Sequence, residues 1–406
     1  MEAEAKPLDL GDVAASPRLH ALDGLRAAAL LTGVVFHALF AYVMRPGEWA
    51  VGTNEPNLWL GWFVHYTHAF RMQLFFLLAG FFAARVVARR GAGAYVRDRV
   101  IRIGLVFVVL LYPMKLLINI AWIGAGLASG GLSVASDAAQ LSLAAEAIDA
   151  IRTEVWPDIR LFHLWFLYIL LILSVGFVAV RWAAYRWLPR LSAVIGKAAM
   201  RVGSAVCASR LAPLWLALPV LPILARTPRA VLDAPDRGFA LEPYALIVYG
   251  LSFLLGWVLS RDPKLLRVLA QRGRVFLLLS LVTGSLGFGL DIQRVAGMGL
   301  PETHLLAAFA NALTLSLAGL GWIGFFFATF SRPSRVMRYL ADSSYWVYLA
   351  HLPLVVALQG WTADWPLVLG LTTNLAVTFG AALSSYHWLV RATPFGSWLN
   401  GRARSL

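Results

Sequence analysis

Arg26 and His37 lie eleven positions apart in one long apolar run. Their side chains are of types that take part in acyl or phosphate chemistry. On an α-helix, eleven steps of 100° bring two side chains to within about 20° of one face, with a rise of roughly 16 Å between them. Asp23 precedes Arg26 by three residues, a spacing at which a carboxylate can hold a guanidinium. Guanidinium pairs well with phosphate, and neutral imidazole accepts protons near neutral pH. The pattern predicts a helix with an anion site at one end and a proton acceptor towards the other.

Histidines concentrate at one end of the apolar runs. A hydrogen-bonded packing histidine is the ordinary interpretation of any single one, but six at one level favour a functional site. No two of them show the i, i+4 spacing with a carboxylate that helical metal sites use, so no metal site is predicted. The six are His37, His65, His68, His163, His304 and His351.

The composition defines the class of protein that must position these residues. Of 406 residues, 60% are hydrophobic and 14% charged, whereas soluble domains average roughly 45–50% and about 25%. This excludes a disordered chain and disfavours a soluble enzyme. The single cysteine, Cys207, excludes an internal disulfide framework. We therefore predict an all-α polytopic membrane protein.

Ten apolar stretches approach the 20 or so residues that a membrane-spanning helix needs. Every second connecting segment is basic, and together these hold 25 of the 35 Lys and Arg residues. The positive-inside rule then places both termini in the cytoplasm. The predicted spans are 22–44, 61–84, 103–123, 162–180, 211–225, 241–260, 275–290, 304–330, 338–358 and 367–390.

These spans predict a membrane domain over 22–391, between a cytoplasmic N-terminal segment 1–21 and a cytoplasmic tail 392–406. The fifth span contains three prolines and is expected to kink, and the eighth is expected to bend near Gly319. Lys115, near the outer end of the third span, is interpreted as a cation that extends towards the interface. The basic segment 181–210 is typical of an interfacial helix on anionic lipid.

Five short motifs lie in or directly after these spans. They are LDGLR at 22–26 followed by His37, FRMQLFF at 70–76 with AGFF at 79–82, HLWFLY at 163–168, SYWVYLAH at 344–351, and TPFG at 393–396 with LNGR at 399–402. Jointly they resemble the acyltransferase 3 family of integral membrane O-acyltransferases, which have about ten helices and modify extracytoplasmic glycans. The last motif resembles the branch that succinylates periplasmic glucans.

The resemblance implies acyl transfer in the bacterial inner membrane. Acyl-CoA, carrying an acetyl or succinyl group, would be the cytoplasmic donor, with no permanently bound cofactor. The acceptor would be a hydroxyl of a periplasmic glucan or exopolysaccharide. Membrane lipids are the expected surroundings, and a second copy of the chain or a glycan-synthesis protein is a candidate partner. Nucleic acid is not expected.

The candidate site residues follow from the motifs and from their depth in the spans. His37 is the expected general base or a transient acyl carrier, and the sequence leaves these two alternatives open. Arg71 is expected to stabilise oxyanion charge. The catalytic candidates are His37, Arg26, Arg71, His163 and His351. The acyl-CoA candidates are Arg26, Asp23, Arg71, Arg97 and Arg102, and the acceptor candidates are His65, His68, Trp165, Tyr168 and Tyr348.

A polytopic glycan or lipid transporter, or a flippase, is the alternative function. Such a protein would also need buried charges and a kinked helix. The missing internal repeat and the Arg26–His37 arrangement on one helix face count against it. An enzyme would release CoA thiol from acyl-CoA, whereas a carrier would not.

Overall fold

The computed structural model describes residues 20–130, 143–153, 159–300 and 302–400, and no β-strand occurs among them. The all-α class is confirmed. The predicted N-terminal segment lies almost entirely outside the described residues, as does the end of the predicted tail. The helices are α1 (His20–Ala38), α2 (Leu58–Arg90), α3 (Ala92–Arg99), α4 (Val106–Ala128), α5 (Leu143–Arg152), α6 (Trp165–Trp187), α7 (Pro189–Ala208), α8 (Ala212–Ala217), α9 (Leu221–Leu224), α10 (Pro243–Arg261), α11 (Pro263–Val295), α12 (Thr303–Thr329), α13 (Arg335–Trp361), α14 (Leu367–Ser385) and α15 (Pro394–Asn400).

Within these ranges, nine helical segments are long and apolar enough to cross a membrane. Eight of them coincide with predicted spans. The ninth predicted span is α13, a 27-residue helix that packs beside α1, α4 and α14 but is not among the nine. It carries polar residues such as His351 and Gln359 towards the interior, and these lower its hydropathy. The nine are His20–Tyr42, Leu58–Arg90, Ala92–Ala128, Phe162–Trp187, Pro189–Ala208, Pro243–Arg261, Pro263–Val295, Thr303–Thr329 and Leu367–Val390.

The fifth predicted span is not a continuous helix. Residues 211–225 form α8 and α9, of six and four residues, separated by a turn. Pro219 and Pro222 cannot donate backbone hydrogen bonds, and this interrupts the helix. His304 Nε2, at the start of α12, donates to Ala225 O at 3.1 Å. The broken segment therefore ends beside the start of α12.

Helix α7 occupies the basic segment that precedes this break. It begins directly after α6, and Gly203 packs against Val258 near the end of α10. At its other end, Arg272 in the first third of α11 donates to Ala208 O at 2.9 Å and to Ser209 O at 2.8 Å. Both ends of α7 thus lie near the same end of the bundle, and most of its surface is exposed. The interfacial position of α7 stays a prediction, because this helix is among the nine that are long and apolar enough to cross a membrane.

Glycines allow the longest helices to approach one another closely. A Cβ on Gly80 would overlap the backbone of Phe253, and a Cβ on Gly256 would overlap that of Leu77, so α2 and α10 meet backbone to backbone. The eighth predicted span is one unbroken helix, α12, where the glycine cluster suggested a bend. A Cβ on Gly324 would overlap the backbone of Leu269, so this glycine serves contact with α11 instead.

Candidate active site

A cavity of about 410 Å³ lies among α1, α2, α4, α6 and α13. On α1 it follows one face from Ala29 to His37, which is a rise of about 12 Å. Loop residues from 45–57, 159–164 and 226–242 complete its wall. The predicted site residues that it brings together are His37, His68, Arg71, His163, Trp165, Tyr348 and His351.

Three imidazoles from three separate parts of the chain meet in this cavity. The ring centroid of His351, on α13, lies 5.3 Å from that of His37 and 5.3 Å from that of His163. His163 follows Phe162, a non-glycine residue with a φ of +49°. Such left-handed backbone is strained for a bulky side chain and is concentrated at functional sites. Tyr348 also fixes this turn, because its hydroxyl donates to His163 O at 2.6 Å.

The hydrogen bonds of two of these rings determine which nitrogen carries the proton. His351 Nδ1 donates to Tyr348 O at 2.6 Å, and His163 Nε2 donates to Leu349 O at 3.2 Å. Because a carbonyl can only accept, the other ring nitrogen of each neutral imidazole keeps its lone pair. These nitrogens, His351 Nε2 and His163 Nδ1, are buried and have no hydrogen-bond partner among the described residues, and the same holds for His37 Nδ1. The cavity therefore presents proton-accepting nitrogens that the protein leaves unsatisfied.

Gln359, which the sequence analysis did not identify, secures His37. Its amide Nε2 donates to His37 O at 2.9 Å and to Ala38 O at 3.2 Å. Its Oε1 accepts from the indole of Trp49 at 2.8 Å, and that indole stacks on the His37 ring at a centroid distance of 5.9 Å. One buried side chain on α13 thus holds the end of α1 and the aromatic partner of the imidazole.

Arg71 is the buried cation of the cavity. Its guanidinium carbon lies 4.1 Å from the centre of the Phe36 ring, and its side chain is only 6% exposed. The buried Nη1 has no hydrogen-bond partner within the described part of the chain. A desolvated guanidinium without a full set of partners is costly, so Arg71 is suited to an anionic ligand atom. His68 lies against the same ring, stacked at 5.7 Å, and its Nε2 donates to Leu232 O at 2.7 Å.

A ring of charged and aromatic side chains surrounds the end of the cavity beyond His37. Two ion pairs lie there, Arg160–Asp236 and Arg229–Glu48, each with an N–O distance of 3.8 Å. Burial raises the pKa of Asp236, against the lowering effect of the Arg160 and Arg237 charges. The aromatic members, Trp122 and Phe162, pack beneath Arg160. The charged members come from loops far apart in the chain and Trp122 comes from α4, and no sequence pattern joins them.

Lys115 contacts this charged ring through the backbone of Arg160. The expectation that its ammonium extends towards the interface was wrong. The side chain is 1% exposed, and its Nζ donates to Arg160 O at 2.9 Å. Because the ammonium has a hydrogen-bond acceptor within reach, its burial costs less free energy than burial of an unpaired charge would.

Two predicted acceptor residues lie outside the cavity wall. His65 faces α12, where its Nε2 lies 3.0 Å from Asn311 Oδ1. Tyr168 donates its hydroxyl to Phe239 O at 2.7 Å. Neither residue lines the cavity.

The predicted acyl-CoA residues are divided between two places: Arg71 lies in the cavity, whereas Asp23, Arg26 and Arg102 lie at the other end of α1. The predicted Asp23–Arg26 pair is confirmed at 3.8 Å, and Arg26 also donates to Ala341 O at 3.4 Å. Arg102 donates to Leu399 O at 2.9 Å and pairs with Asp98 at 3.6 Å, which ties α15 to the bundle. Arg97 is exposed. The cavity ends at Ala29, one helical turn short of Arg26.

Comparison with known families matches residues 19–387 to the acyltransferase domain of the acyltransferase 3 family. The match covers most of the chain, and the chain belongs to this family of multi-pass membrane proteins. No solved structure matches the chain.

Several curated relatives are named glucans biosynthesis protein C. The chain is 29% identical over 175 residues to the protein of Salmonella gallinarum, and this match covers 43% of this chain and 41% of the relative. It is 32% identical over 157 residues to that of Escherichia coli O6:K15:H31, with coverages of 39% and 37%. It is 30% identical over 160 residues to that of Shigella dysenteriae serotype 1, also with 39% and 37%. The matched part thus spans about two fifths of the length of these relatives.

Proposed function

We propose that the chain transfers an acetyl or succinyl group from acyl-CoA to a hydroxyl of an extracytoplasmic glycan, most simply a glucan. The family supports acyl transfer, and the names of the curated relatives support a glucan-related role. The observation that carries the proposal is the cavity in which unsatisfied imidazole nitrogens face the buried Arg71.

His37 acts as the general base in this scheme. The acceptor oxygen attacks the thioester carbonyl carbon while an unpartnered nitrogen of His37 takes the hydroxyl proton. Arg71 donates to the oxyanion that develops on the carbonyl oxygen. The carbon–sulfur bond then breaks, the imidazolium returns its proton to sulfur, and the ester and free CoA thiol are formed.

His351 and the charged ring orient the acceptor. The fixed lone pair of His351 Nε2 can accept from a second sugar hydroxyl, and the ion pairs Arg160–Asp236 and Arg229–Glu48 offer donors and acceptors at the cavity end. Trp122 and Phe162 supply flat apolar faces of the kind on which sugar rings stack. This combination favours a carbohydrate over a purely apolar acceptor.

Acyl-CoA is proposed to bind with its phosphates near Arg26 and Arg102 and its pantetheine arm along α1. The roughly 16 Å rise from Arg26 to His37 sets the length that the arm must span. The cavity already follows α1 from His37 to Ala29. The pantetheine arm must therefore pass one further helical turn, from Ala29 to Arg26, where the cavity does not extend.

Release of CoA thiol tests the function. Purified protein in detergent is mixed with acetyl-CoA or succinyl-CoA and a glucan oligosaccharide, and free thiol and acylated sugar are measured together. Thiol release that requires the oligosaccharide and matches the amount of acylated sugar is expected. Movement of glycan across vesicles without thiol release would support the transporter instead.

The orientation of the chain in the membrane is proposed to place both termini in the cytoplasm, as the loop charges predict. Reporter fusions after residues 135 and 400 measure this directly. The first is expected outside and the second inside. Reporters that score in the same compartment would contradict the orientation.

A further inference from the structure

A second cavity, of about 650 Å³, lies apart from the histidines, between α7 and the bundle. Helices α2, α6, α10 and α12 and the broken segment 211–225 form its other walls. Most of the lining is aliphatic or aromatic. The polar members are Gln73, Arg181, Tyr185, Ser192, Ser252 and Ser316.

The length of this cavity matches one leaflet of a bilayer. Along α10 its lining extends from Val248 to Val258, a rise of about 15 Å. The hydrocarbon core of a membrane is roughly 30 Å thick, so each leaflet contributes about half of that. An extended lipid acyl chain therefore has the right length and polarity for this space.

One end of the cavity is basic. Arg181 lies there, with its guanidinium carbon 4.7 Å from the Tyr185 ring centre and 5.7 Å from that of Trp257. Residues 181–210 contain six Lys and Arg residues and no Asp or Glu. Such a segment attracts anionic headgroups. The basic end thus lies where the headgroup of a lipid in that leaflet would be.

Helix α7 covers the cavity only loosely. Ile195 and Val202 both line it, yet they are 56% and 63% exposed. A chain from the surrounding membrane can therefore enter beneath α7 without unfolding of the bundle.

We propose that this cavity binds one acyl chain of an anionic phospholipid, with the lipid phosphate beside Arg181. The site is independent of the histidine cavity and of the proposed acyl transfer. Bound lipid fills the space between α7 and the bundle and fastens α7 to it.

Two glycines provide a matched test. A Cβ on Gly319, which lines the cavity, would meet nothing within 4 Å, and the same is true of Gly380 on α14, which does not line it. Gly319→Leu therefore fills the cavity, while Gly380→Leu adds the same bulk and helix propensity elsewhere. Ala199→Phe, on α7, fills the cavity from the opposite wall and serves if Gly319→Leu folds poorly.

The measurement is native mass spectrometry of delipidated protein after incubation with equal amounts of dioleoyl phosphatidylglycerol and dioleoyl phosphatidylethanolamine. Wild type and Gly380→Leu are expected to retain one phosphatidylglycerol, and the cavity-filling variants at least about ten-fold less. Arg181→Gln is expected to weaken retention about five-fold, the effect of one basic residue near an anionic surface. CoA release by Gly319→Leu is expected to remain at the wild-type rate.

Three results would overturn the proposal. They are no retained lipid in wild type, equal retention of the two lipids, and equal retention by Gly319→Leu and Gly380→Leu. Failure of CoA release in wild type would instead contradict the proposed function and would leave the lipid result interpretable.

Discussion

The two ends of helix α1 differ in whether their polar groups are already satisfied. At the end near Arg26, the guanidinium has Asp23 and a backbone carbonyl as partners, and Arg102 has Asp98 and Leu399 O. At the His37 end, three imidazole nitrogens and Arg71 Nη1 are buried without hydrogen-bond partners among the described residues. Buried polar groups without partners cost stability, and several of them around one cavity are typical of a site that a ligand completes. The histidine end therefore offers the unpaired groups that the proposed chemistry needs, whereas a donor that binds at the arginine end must compete with partners that the protein already supplies.

Loss of the base should produce the largest effect. His37→Ala is expected to lower turnover by about 10²–10⁴-fold, the usual contribution of a general base. His65→Ala, which removes a histidine that faces α12 instead of the cavity, is the matched control and should keep turnover near wild type. Steady-state CoA release by detergent-purified variants with equal elution profiles measures this. Near-normal turnover of His37→Ala would remove this histidine from the mechanism.

Loss of the buried cation should come next. Arg71→Leu is expected to lower turnover by about 10²–10³-fold, as does removal of an oxyanion donor in other enzymes. Arg71→Lys keeps the charge but loses the planar fork above Phe36, so an intermediate rate is expected. Arg186, an exposed residue in the last turn of α6 that is not a candidate site residue, is the control, and Arg186→Gln should change turnover by less than about two-fold. A fully active Arg71→Leu enzyme would contradict the proposed oxyanion role.

Loss of the support for His37 should have a smaller effect. Gln359→Leu is expected to lower kcat roughly ten-fold through displacement of His37, with an unchanged KM for acyl-CoA. Trp49→Phe keeps a ring against His37 but removes the indole donor, so a loss of a few-fold is expected. Kinetics with both substrates varied separate kcat from KM. A parallel rise of both KM values with unchanged kcat would indicate a structural role for Gln359 alone.

The sequence was informative about depth in the membrane and uninformative about rotation around each helix. All six histidines could be assigned to one level, but His65 and His68 are three residues apart and so about 60° apart around α2. That rotation suffices to turn His68 into the cavity and His65 towards Asn311. Only packing against a particular neighbour decides between such faces, and a single sequence does not contain that information.

The parts that sequence reasoning missed depend on contacts between distant segments. Gln359 meets Trp49 and His37 across more than 300 positions of the chain. The ion pairs Arg160–Asp236 and Arg229–Glu48 likewise join separate loops. The Asp23–Arg26 pair could be predicted because both residues lie on one turn of one helix. Local geometry was thus predictable, whereas the wall of the site was not.

Acyl-CoA titration of Arg26→Ala and His37→Ala, alongside turnover with a glucan acceptor, tests the division of labour along α1. The variants are purified in the same detergent, and binding is followed by calorimetry with a non-hydrolysable acyl-CoA analogue. Arg26→Ala is expected to weaken binding about ten-fold, the usual scale for loss of one charge-assisted contact. His37→Ala is expected to bind the analogue as wild type does and to turn over at least about 10²-fold more slowly. Equal loss of affinity in both variants, or in neither, would contradict donor binding at the Arg26 end with chemistry at the His37 end.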